Sequence, residues 1–306
     1  MIIASYNIHS CVGSDSKYDV NRVASTISAL AADIVALQEV EVNKASQKTR
    51  LWSVVHEDDQ PALLAAATGL LHSAFAPAVK SICTGTFREE HDTELAQAGH
   101  FGVAILSKHP ILEQRVVTFK RYKKKTLRNA LAVKVQPPSS EPIWFVCTHL
   151  GCHTGEEQLH QVKERSARGA SLSPPRRSHH SVVFSSQARE LNEWMSALDD
   201  TVICCGDTNS PPWFAAISAL TGDGFVDCGG ERTFPAVGWP CCFWASCLPA
   251  LLKLDYCVYR SSEWKCVETT VPKGGEDGIL IKASDHRPLV SRFEKVVVGG
   301  GGMARV

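Results

Sequence analysis

The chain has 306 residues, of which 44% are hydrophobic and 21% are charged. These values are close to the averages for globular proteins, so they exclude global disorder and allow a large buried core. Lysine plus arginine number 32, as do aspartate plus glutamate, which excludes the overall basic field that drives sequence-independent binding of nucleic acid.

The chain starts with an apolar run, Ile2 to Tyr6, which predicts a strand. Apolar residues from Val20 onward then recur at helical spacing behind Asp19, which predicts a capped helix, and Ile34 to Leu37 predicts the next strand. Further strands are predicted at 101–106, 116–119, 127–135, 143–147, 202–205, 254–259, 264–271 and 288–293, and helices at 187–198 and 212–220. This series favours two packed sheets covered by helices.

Polar residues stand at the ends of several predicted strands. They are Asn7, Gln38-Glu39, Thr148-His149, Gly206-Asp207-Thr208-Asn209 and Asp285-His286. Since α/β folds place their chemistry just past strand ends, we expect these residues to share one site. Each motif taken alone is equally consistent with an ordinary polar turn.

Two carboxylates carry specific expectations. Glu39 ends a buried strand, and Mg²⁺ is commonly held by one or two carboxylates together with water and substrate phosphate. Asp255 is a charged residue within an apolar strand, where its burial is costly unless it is paired. We expect His286 to be that partner.

A single domain is expected over 1–295, with two insertions and a tail. Residues 162–187 are rich in Ser, Arg, Pro and His and lack periodicity, which favours a disordered loop over a nucleic-acid-binding arm. A retained intron is the alternative, because the helical pattern on its two sides is continuous. Residues 241–251 form a hydrophobic insertion, and 296–306 form a flexible Gly-rich tail.

The sequence predicts neither a signal peptide nor a transmembrane segment. The apolar run Ile2 to Tyr6 leaves no room for a charged region before it, and the apolar stretch Val237 to Leu252 is broken by Pro240 and Pro249. We therefore expect an intracellular monomer, cytoplasmic or nuclear. Its 12 cysteines include no Cys-x-x-Cys, so reduced thiols are expected rather than structural zinc or a disulfide framework.

Six motifs occur in a fixed order along nearly the whole chain. They are Ser5-Tyr6-Asn7, Leu37-Gln38-Glu39-Val40, Cys147-Thr148-His149-Leu150, Gly206-Asp207-Thr208-Asn209, Leu254-Asp255-Tyr256 and Ser284-Asp285-His286. Because these motifs occur in the family's order, the chain resembles the endonuclease/exonuclease/phosphatase superfamily. That superfamily includes deoxyribonuclease I, inositol polyphosphate 5-phosphatases and neutral sphingomyelinases. It looks most like the small bacterial-type members.

The resemblance implies a deoxyribonuclease I-like fold, which is a four-layer α/β sandwich of two packed mixed β-sheets flanked by helices. It implies a Mg²⁺ cofactor, for which Mn²⁺ can substitute. Glu39 is the main metal ligand in this interpretation, with Asn7 beside it and Asp285 helping to fix the metal site.

The resemblance also implies a set of catalytic residues. Asp207 orients or deprotonates the attacking water, and Asn209 holds that water or the phosphate. His286, paired with Asp255, stabilises the transition state, and His149 is a second phosphate contact.

Substrate binding is assigned to Asn7, Asn209 and Arg128, although Arg128 also fits a surface arginine in a basic strand. One departure from the family concerns deoxyribonuclease I, which pairs its upstream histidine with a glutamate. The corresponding residues 99–102 contain no carboxylate, so that acid/base pair is in doubt.

The expected activity is Mg²⁺-dependent hydrolysis of a phosphate ester, first as a phosphodiesterase or nuclease. The alternative is a phosphatase or phospholipase C-like enzyme acting on an inositol phosphate or a sphingolipid, and a catalytically inactive binding protein ranks third. A cationic rim near Arg121 to Lys125 favours a polyanion, whereas a flap of Phe243, Trp244 and Leu248 at the mouth favours a phospholipid headgroup.

Overall fold

Two mixed β-sheets of six strands each pack face to face in the computed structural model, which describes residues 1–42, 56–79, 100–119, 127–151, 179–199, 201–236, 250–272 and 282–296. The strands are β1 (Ile2–Asn7), β2 (Ile34–Val42), β3 (His72–Val79), β4 (His100–Ser107), β5 (Ile111–Thr118), β6 (Asn129–Val135), β7 (Ile143–His149), β8 (Val202–Asp207), β9 (Val226–Asp227), β10 (Asp255–Arg260), β11 (Trp264–Thr270) and β12 (Leu289–Lys295). The helices are α1 (Val20–Ala29), α2 (Gln60–Thr68), α3 (His179–Ser196) and α4 (Ala215–Leu220), with a 3₁₀ turn at His9–Cys11.

The strand order places two parallel pairs near the centre of the sandwich. The first sheet runs β11-β12-β1-β2-β4-β3, and the second runs β5-β6-β7-β8-β10-β9. β1 is parallel to β2, and β7 is parallel to β8. Parallel neighbours require a crossover, and α1 lies in the connection from β1 to β2 while α3 lies in that from β7 to β8. The carboxyl ends of each pair therefore lie at one edge of their sheet.

Side chains point alternately to the two faces of each strand, so one hydrophobic core lies between the sheets and two others lie between the sheets and the helices. In β7, Phe145 lies between the sheets, whereas Trp144 faces the core under α3 and α4. In β1, Ile3 faces inward and Tyr6 faces the core under α1 and α2. This arrangement confirms the predicted four-layer sandwich of helices, sheet, sheet and helices.

Helix α1 begins behind the predicted cap residue, Asp19. The Asp19 side chain accepts a hydrogen bond from the backbone N–H of Arg22 at 2.9 Å, which caps α1. Val23 and Ile27 lie on the buried face of the helix. Among the described residues, no helix is both long and apolar enough to cross a membrane.

Several elements differ from the sequence-based expectation. Helix α2 and strand β3 were not predicted, because α2 is alanine- and leucine-rich without a polar face and β3 contains Pro77 among alanines and polar residues. Strand β5 begins at Ile111 rather than 116, since this edge strand is largely exposed and shows no burial alternation. Helix α4 begins at Ala215 rather than 212, because Pro211 and Pro212 precede it in a turn.

Helix α3 begins at His179 rather than 187, so its first residues lie within the segment 162–187 that we expected to be disordered. The remainder of that segment lies outside the described residues. The same holds for the basic run 121–125, for residues 241–249 of the hydrophobic insertion and for the tail beyond 296.

We predict that Gly206→Ala destabilises the fold, because a Cβ at this position would lie 2.1 Å from the backbone oxygen of Thr148 on the adjacent strand. Separating β7 from β8 should lower the free energy of unfolding by about 2 kcal/mol or more in urea denaturation. Gly222→Ala is the control, since its added Cβ would lie 3.4 Å from the nearest atom. Equal urea midpoints for the two variants would contradict the close approach of the strands.

Candidate active site

Four polar residues, each the first or last residue of its strand, meet at one end of the two sheets. Asn7 closes β1 and lies opposite Gln38 of β2 in the parallel ladder. His149 closes β7 and lies opposite Asp207, the last residue of β8. Asp255 opens β10 and faces Asp207 from the other side. The predicted convergence of strand ends therefore places Asp207 at the centre of the group.

The Asp207 carboxylate is 1% exposed and is surrounded by N–H groups. Its Oδ2 accepts a hydrogen bond from Asn7 Nδ2 at 3.0 Å, which joins the two sheets. The same oxygen lies 3.5 Å from His149 Nε2 and 3.7 Å from His286 Nε2. Its Oδ1 accepts from the backbone N–H of Asn209 at 2.7 Å. Both carboxylate oxygens therefore have polar partners despite the burial.

Burial raises the pKa of Asp207 to about 7, against the opposing effect of the His286 cation. The neighbouring Asp255 charge raises this pKa further, while the hydrogen bonds from Asn209 and Asn7 lower it. A carboxylate with a pKa near neutrality is well placed to exchange a proton with a bound water molecule.

His286 and Asp255 form the pair that the sequence predicts. His286 Nδ1 and Asp255 Oδ2 lie 2.8 Å apart, and both side chains are buried. Burial lowers the pKa of His286, but the Asp255 and Asp207 charges outweigh burial and raise the pKa well above its ordinary value. The ring also packs against Phe234, with centroids 4.9 Å apart. The imidazole is thus held protonated, with its Nε2–H facing Asp207.

Glu39 occupies a β-bulge, which redirects its side chain. The register between β2 and β4 shifts between Gln38 and Val40, so Glu39 is the extra residue. Its backbone φ is 56°, a left-handed conformation that a non-glycine residue rarely adopts. Strained backbone of this kind persists where the surrounding structure fixes it, often at functional sites. The regular alternation of β2 could not have predicted where this carboxylate lies.

Asp285 is held beside Asn7 by its neighbour in the chain. Ser284 Oγ donates to the backbone oxygen of Asn7 at 2.7 Å. The Asn7 side-chain oxygen accepts from the backbone N–H of His9 at 3.1 Å, and His9 Nδ1 lies 4.0 Å from Asp285 Oδ1. His9 was missed by sequence reasoning, and its position two residues after Asn7 was the available signal.

Glu39, Asn7 and Asp285 fit a hard divalent cation. Asn7 ends β1 opposite Gln38, the residue before the Glu39 bulge in β2, and Ser284 ties Asp285 to Asn7. All three offer oxygen donors, which Mg²⁺ and Mn²⁺ prefer, and the amide oxygen of Asn7 has a second lone pair beyond its bond to His9.

A second group of possible ligands comprises Asp207, Asp255 and His286, whose donor atoms all lie within 4.8 Å of one another. In this group the 2.8 Å bond to Asp255 occupies His286 Nδ1, and the 3.0 Å bond from Asn7 occupies Asp207 Oδ2. A cation bound to His286 Nε2 would have to replace the proton that the Asp255 and Asp207 charges stabilise. The oxygen donors of Glu39, Asn7 and Asp285 require no such deprotonation, so they are the better candidates for Mg²⁺.

His149 is paired with an arginine. Arg128, which is 7% exposed, places Nη1 2.9 Å from His149 Nδ1. Asn209 Nδ2 lies 3.0 Å from His149 Nε2 and donates to the backbone oxygen of Leu150 at 3.1 Å. A guanidinium can only donate, so the Nδ1 atom of His149 is an acceptor. The N–H groups concentrated here suit an anionic phosphate.

Gln60 was also missed, because α2 was not predicted. Its side chain is fully buried and bridges two of the turns that shape the site. Oε1 accepts from the backbone N–H of Glu41, just past the Glu39 bulge, at 2.7 Å. Nε2 donates to the backbone oxygen of Ser10 at 3.0 Å. One amide thus connects the end of β2 to the turn that follows Asn7.

The Endonuclease/Exonuclease/phosphatase family model matches residues 4–286 of the chain. A comparison with curated protein sequences gives no match. Among solved structures, endonuclease/exonuclease/phosphatase from Beutenbergia cavernae DSM 12333 superposes with a TM-score of 0.64 and 21% identity, over 96% of this chain and 71% of that chain.

Two further solved structures cover nearly all of both chains. Mannosyl-6-phosphatase from Bacteroides thetaiotaomicron VPI-5482 has a TM-score of 0.55 and 12% identity, over 96% of this chain and 99% of that chain. D. rerio TDP2, complexed with single strand DNA product, has a TM-score of 0.58 and 16% identity, over 96% and 98%. Similarities at these identities establish a shared fold and leave the substrate open.

We predict that Asp255→Asn lowers the pKa of His286, because removing a neighbouring negative charge destabilises the imidazolium. The parent His286 should stay protonated well above pH 6.5, and the variant should lose that proton at lower pH in a histidine NMR titration. Asp227→Asn is the matched control, since Asp227 pairs with Lys253 at 2.8 Å instead. An unchanged titration in Asp255→Asn would refute the pairing as the cause.

Proposed function

Because the chain belongs to the endonuclease/exonuclease/phosphatase family, we propose that it hydrolyses phosphate esters with a divalent metal ion and an attacking water molecule. One observation carries the proposal: Asp207 Oδ2 lies 3.0 Å from Asn7 Nδ2, 3.5 Å from His149 Nε2 and 3.7 Å from His286 Nε2. A buried carboxylate among N–H groups from both sheets forms a cradle for a water molecule and a phosphoryl group.

The metal is assigned to Glu39, Asn7 and Asp285, and Mg²⁺ is the expected ion with Mn²⁺ as a substitute. When bound, such an ion offsets the negative charge that develops on phosphoryl oxygens. The bulge at Glu39 and the hydrogen bond from Ser284 to Asn7 support this assignment, because each fixes the backbone beside one of these oxygen donors.

Asp207 is the proposed general base. It accepts the proton of the attacking water, and its pKa of about 7 suits that role near neutral pH. Asn209, whose backbone N–H is bonded to Asp207, follows it in a left-handed conformation with a φ of 48°. We assign the Asn209 side chain to orienting the water or the phosphate.

His286 is the proposed electrostatic donor. Its Nε2–H is directed to the transferring phosphoryl group, and Asp255 keeps the ring protonated and oriented through Nδ1. His149 and Arg128 add further N–H donors on the β7 side of Asp207. Together they stabilise the trigonal bipyramidal transition state of in-line attack.

Cleavage of a phosphodiester, as in a nuclease, is the first choice of reaction. Trp213 supports it: this residue is 73% exposed, follows Asn209 by four positions and can offer a flat surface to a nucleobase. A phosphatase or phospholipase C-like activity on a sugar, inositol or lipid phosphate is the second candidate. The balance of 32 basic and 32 acidic residues favours it, because it gives no general attraction for a polyanion.

We predict Mg²⁺-dependent hydrolysis of bis-p-nitrophenyl phosphate by the purified protein. Glu39→Gln and His286→Ala should each lower kcat/KM on the order of a hundredfold or more, because each removes charge stabilisation of the transition state. Glu113→Gln and His109→Ala make the same chemical changes outside the site and should leave the rate unchanged.

Parallel assays with p-nitrophenyl phosphate distinguish the two candidate reactions. Faster cleavage of the diester supports the nuclease, and faster cleavage of the monoester supports the phosphatase. No metal-dependent cleavage of either compound by the folded protein would contradict both and favour a binding protein.

We also predict that Trp213→Ala raises KM for a single-stranded oligonucleotide roughly tenfold, by loss of stacking on one base, while its rate on bis-p-nitrophenyl phosphate is unchanged. Leu71→Ala is the matched control, because Leu71 is 74% exposed and lies away from the candidate active site. It precedes β3, whose first residue pairs with the last residue of β4, beside the start of β2. An equal effect of both substitutions, or none from Trp213→Ala, would argue against nucleic acid as the substrate.

A further inference from the structure

Four cysteine thiols form a connected row between the two sheets, and the proposed function uses none of them. Cys205 lies on β8, Cys257 on β10 and Cys228 just after β9, while Cys266 lies on β11 of the other sheet. Cys228 Sγ and Cys257 Sγ are 3.4 Å apart. Cys205 lies opposite Cys257 in the ladder of β8 and β10, and Cys228 and Cys266 are close enough to shift each other's pKa.

The backbone around Cys228 and Cys257 suits a covalent bond between them. Asp227 lies opposite Val258 in the antiparallel ladder of β9 and β10, so Cys228 lies opposite Cys257. The backbone N–H of Cys228 donates to the oxygen of Cys257 at 2.8 Å. Directly opposed residues of this kind have Cα atoms about 5.5 Å apart, within the range of disulfides. The sulfurs need to approach by only about 1.4 Å, which small side-chain rotations can provide.

A metal is a poorer explanation of the row. Structural zinc requires four ligands around one point. Among the described residues, the group of donor atoms lying within 4.8 Å of one another is Asp207, Asp255 and His286, and it includes no thiol. No third described thiol is therefore close to both Cys228 and Cys257. The arrangement of the thiols therefore suits disulfide formation between neighbouring pairs.

Cys266 provides the reactive entry to the row. It is partly exposed, and its Sγ lies 3.4 Å from Thr269 Oγ1. The hydrogen bond with Cys228 lowers the pKa of Cys266 to about 7, against burial. Thiolate, rather than thiol, attacks peroxides, so Cys266 is the first expected site of oxidation. Cys257, which is 1% exposed, is shielded from direct attack.

We propose that Cys228 and Cys257 are an oxidative modification site, at which a hydroperoxide converts the two thiols to a disulfide. The Cys266 thiolate attacks one peroxide oxygen and the O–O bond breaks, so Cys266 becomes a sulfenic acid, while the other oxygen takes up the proton that the Cys266 thiol had lost and leaves as an alcohol or water. Cys228 then attacks this sulfur, its proton leaves with the hydroxide as water, and a Cys228–Cys266 disulfide forms. Cys257 attacks Cys228 and transfers its proton to the departing Cys266. Overall, two thiols lose two electrons and one peroxide gains them.

The bond would close a loop that supports the candidate active site. Within it, Thr233 Oγ1 accepts from the backbone N–H of Asp255 at 3.3 Å, and Phe234 packs against His286. Cross-linking the ends of this segment restricts the unfolded chain, so the oxidised protein should melt roughly 5 °C higher than the reduced protein.

The test treats the reduced, folded full-length protein with hydrogen peroxide, blocks remaining thiols with iodoacetamide and maps peptides by mass spectrometry. Digestion with trypsin and chymotrypsin is suitable, because cleavage after Phe225 separates Cys228 from Cys204 and Cys205. We expect a peptide pair joined through Cys228 and Cys257, with Cys266 recovered as alkylated thiol. Melting curves recorded before and after oxidation should show the shift.

Variants separate the steps. Cys228→Ser and Cys257→Ala should abolish both the joined peptides and the melting shift, whereas Cys266→Ser should slow cross-linking at least tenfold without preventing it. Cys204→Ser is the control, because this neighbour of Cys205 faces the outer core. Quantitative alkylation of both Cys228 and Cys257 after peroxide treatment of the parent protein would overturn the proposal, as would pairing of either with another cysteine.

Discussion

The Asp207 carboxylate is almost completely removed from water, and a buried charge of this kind is stable only where polar groups replace the lost solvation. Those groups come from separate parts of the chain: the amide of Asn7 from the first sheet, the backbone of Asn209, and the rings of His149 and His286. They meet only when the two sheets stack with their parallel strand pairs ending at one edge. The fold and the charge of Asp207 therefore depend on each other.

Much of this arrangement follows from the sequence because strand ends and burial costs are local signals. Polar residues after apolar runs predicted the shared edge, and the cost of burying Asp255 inside an apolar strand predicted its bond to His286. Features that depend on tertiary contacts escaped prediction. The Glu39 bulge interrupts the period of β2, Gln60 acts through backbone groups of distant turns, and Arg128 reaches His149 only once β6 and β7 pair.

Strands β8 and β10, which carry Asp207 and Asp255, also carry two of the four thiols, two residue pairs further in. Asp207 lies opposite Asp255, and Cys205 lies opposite Cys257 on the same two strands. Residues two apart on a strand face the same side, so all four point between the sheets. The carboxylates of Asp207 and Asp255 thus lie at the ends of the strands, and the thiols of Cys205 and Cys257 lie behind them between the sheets. A change in the thiols acts on the same strands that position Asp207 and Asp255.

We propose that the site has a metal half on the first sheet, around Glu39, and a proton-transfer half on the second, around Asp207. Calorimetric titration of Mn²⁺ into the parent protein, Glu39→Gln and Asp207→Asn tests this division directly. We predict that Glu39→Gln weakens Mn²⁺ binding at least about tenfold, while Asp207→Asn retains the metal and loses hydrolysis. Loss of binding in Asp207→Asn with normal binding in Glu39→Gln would contradict it and place the metal among Asp207, Asp255 and His286.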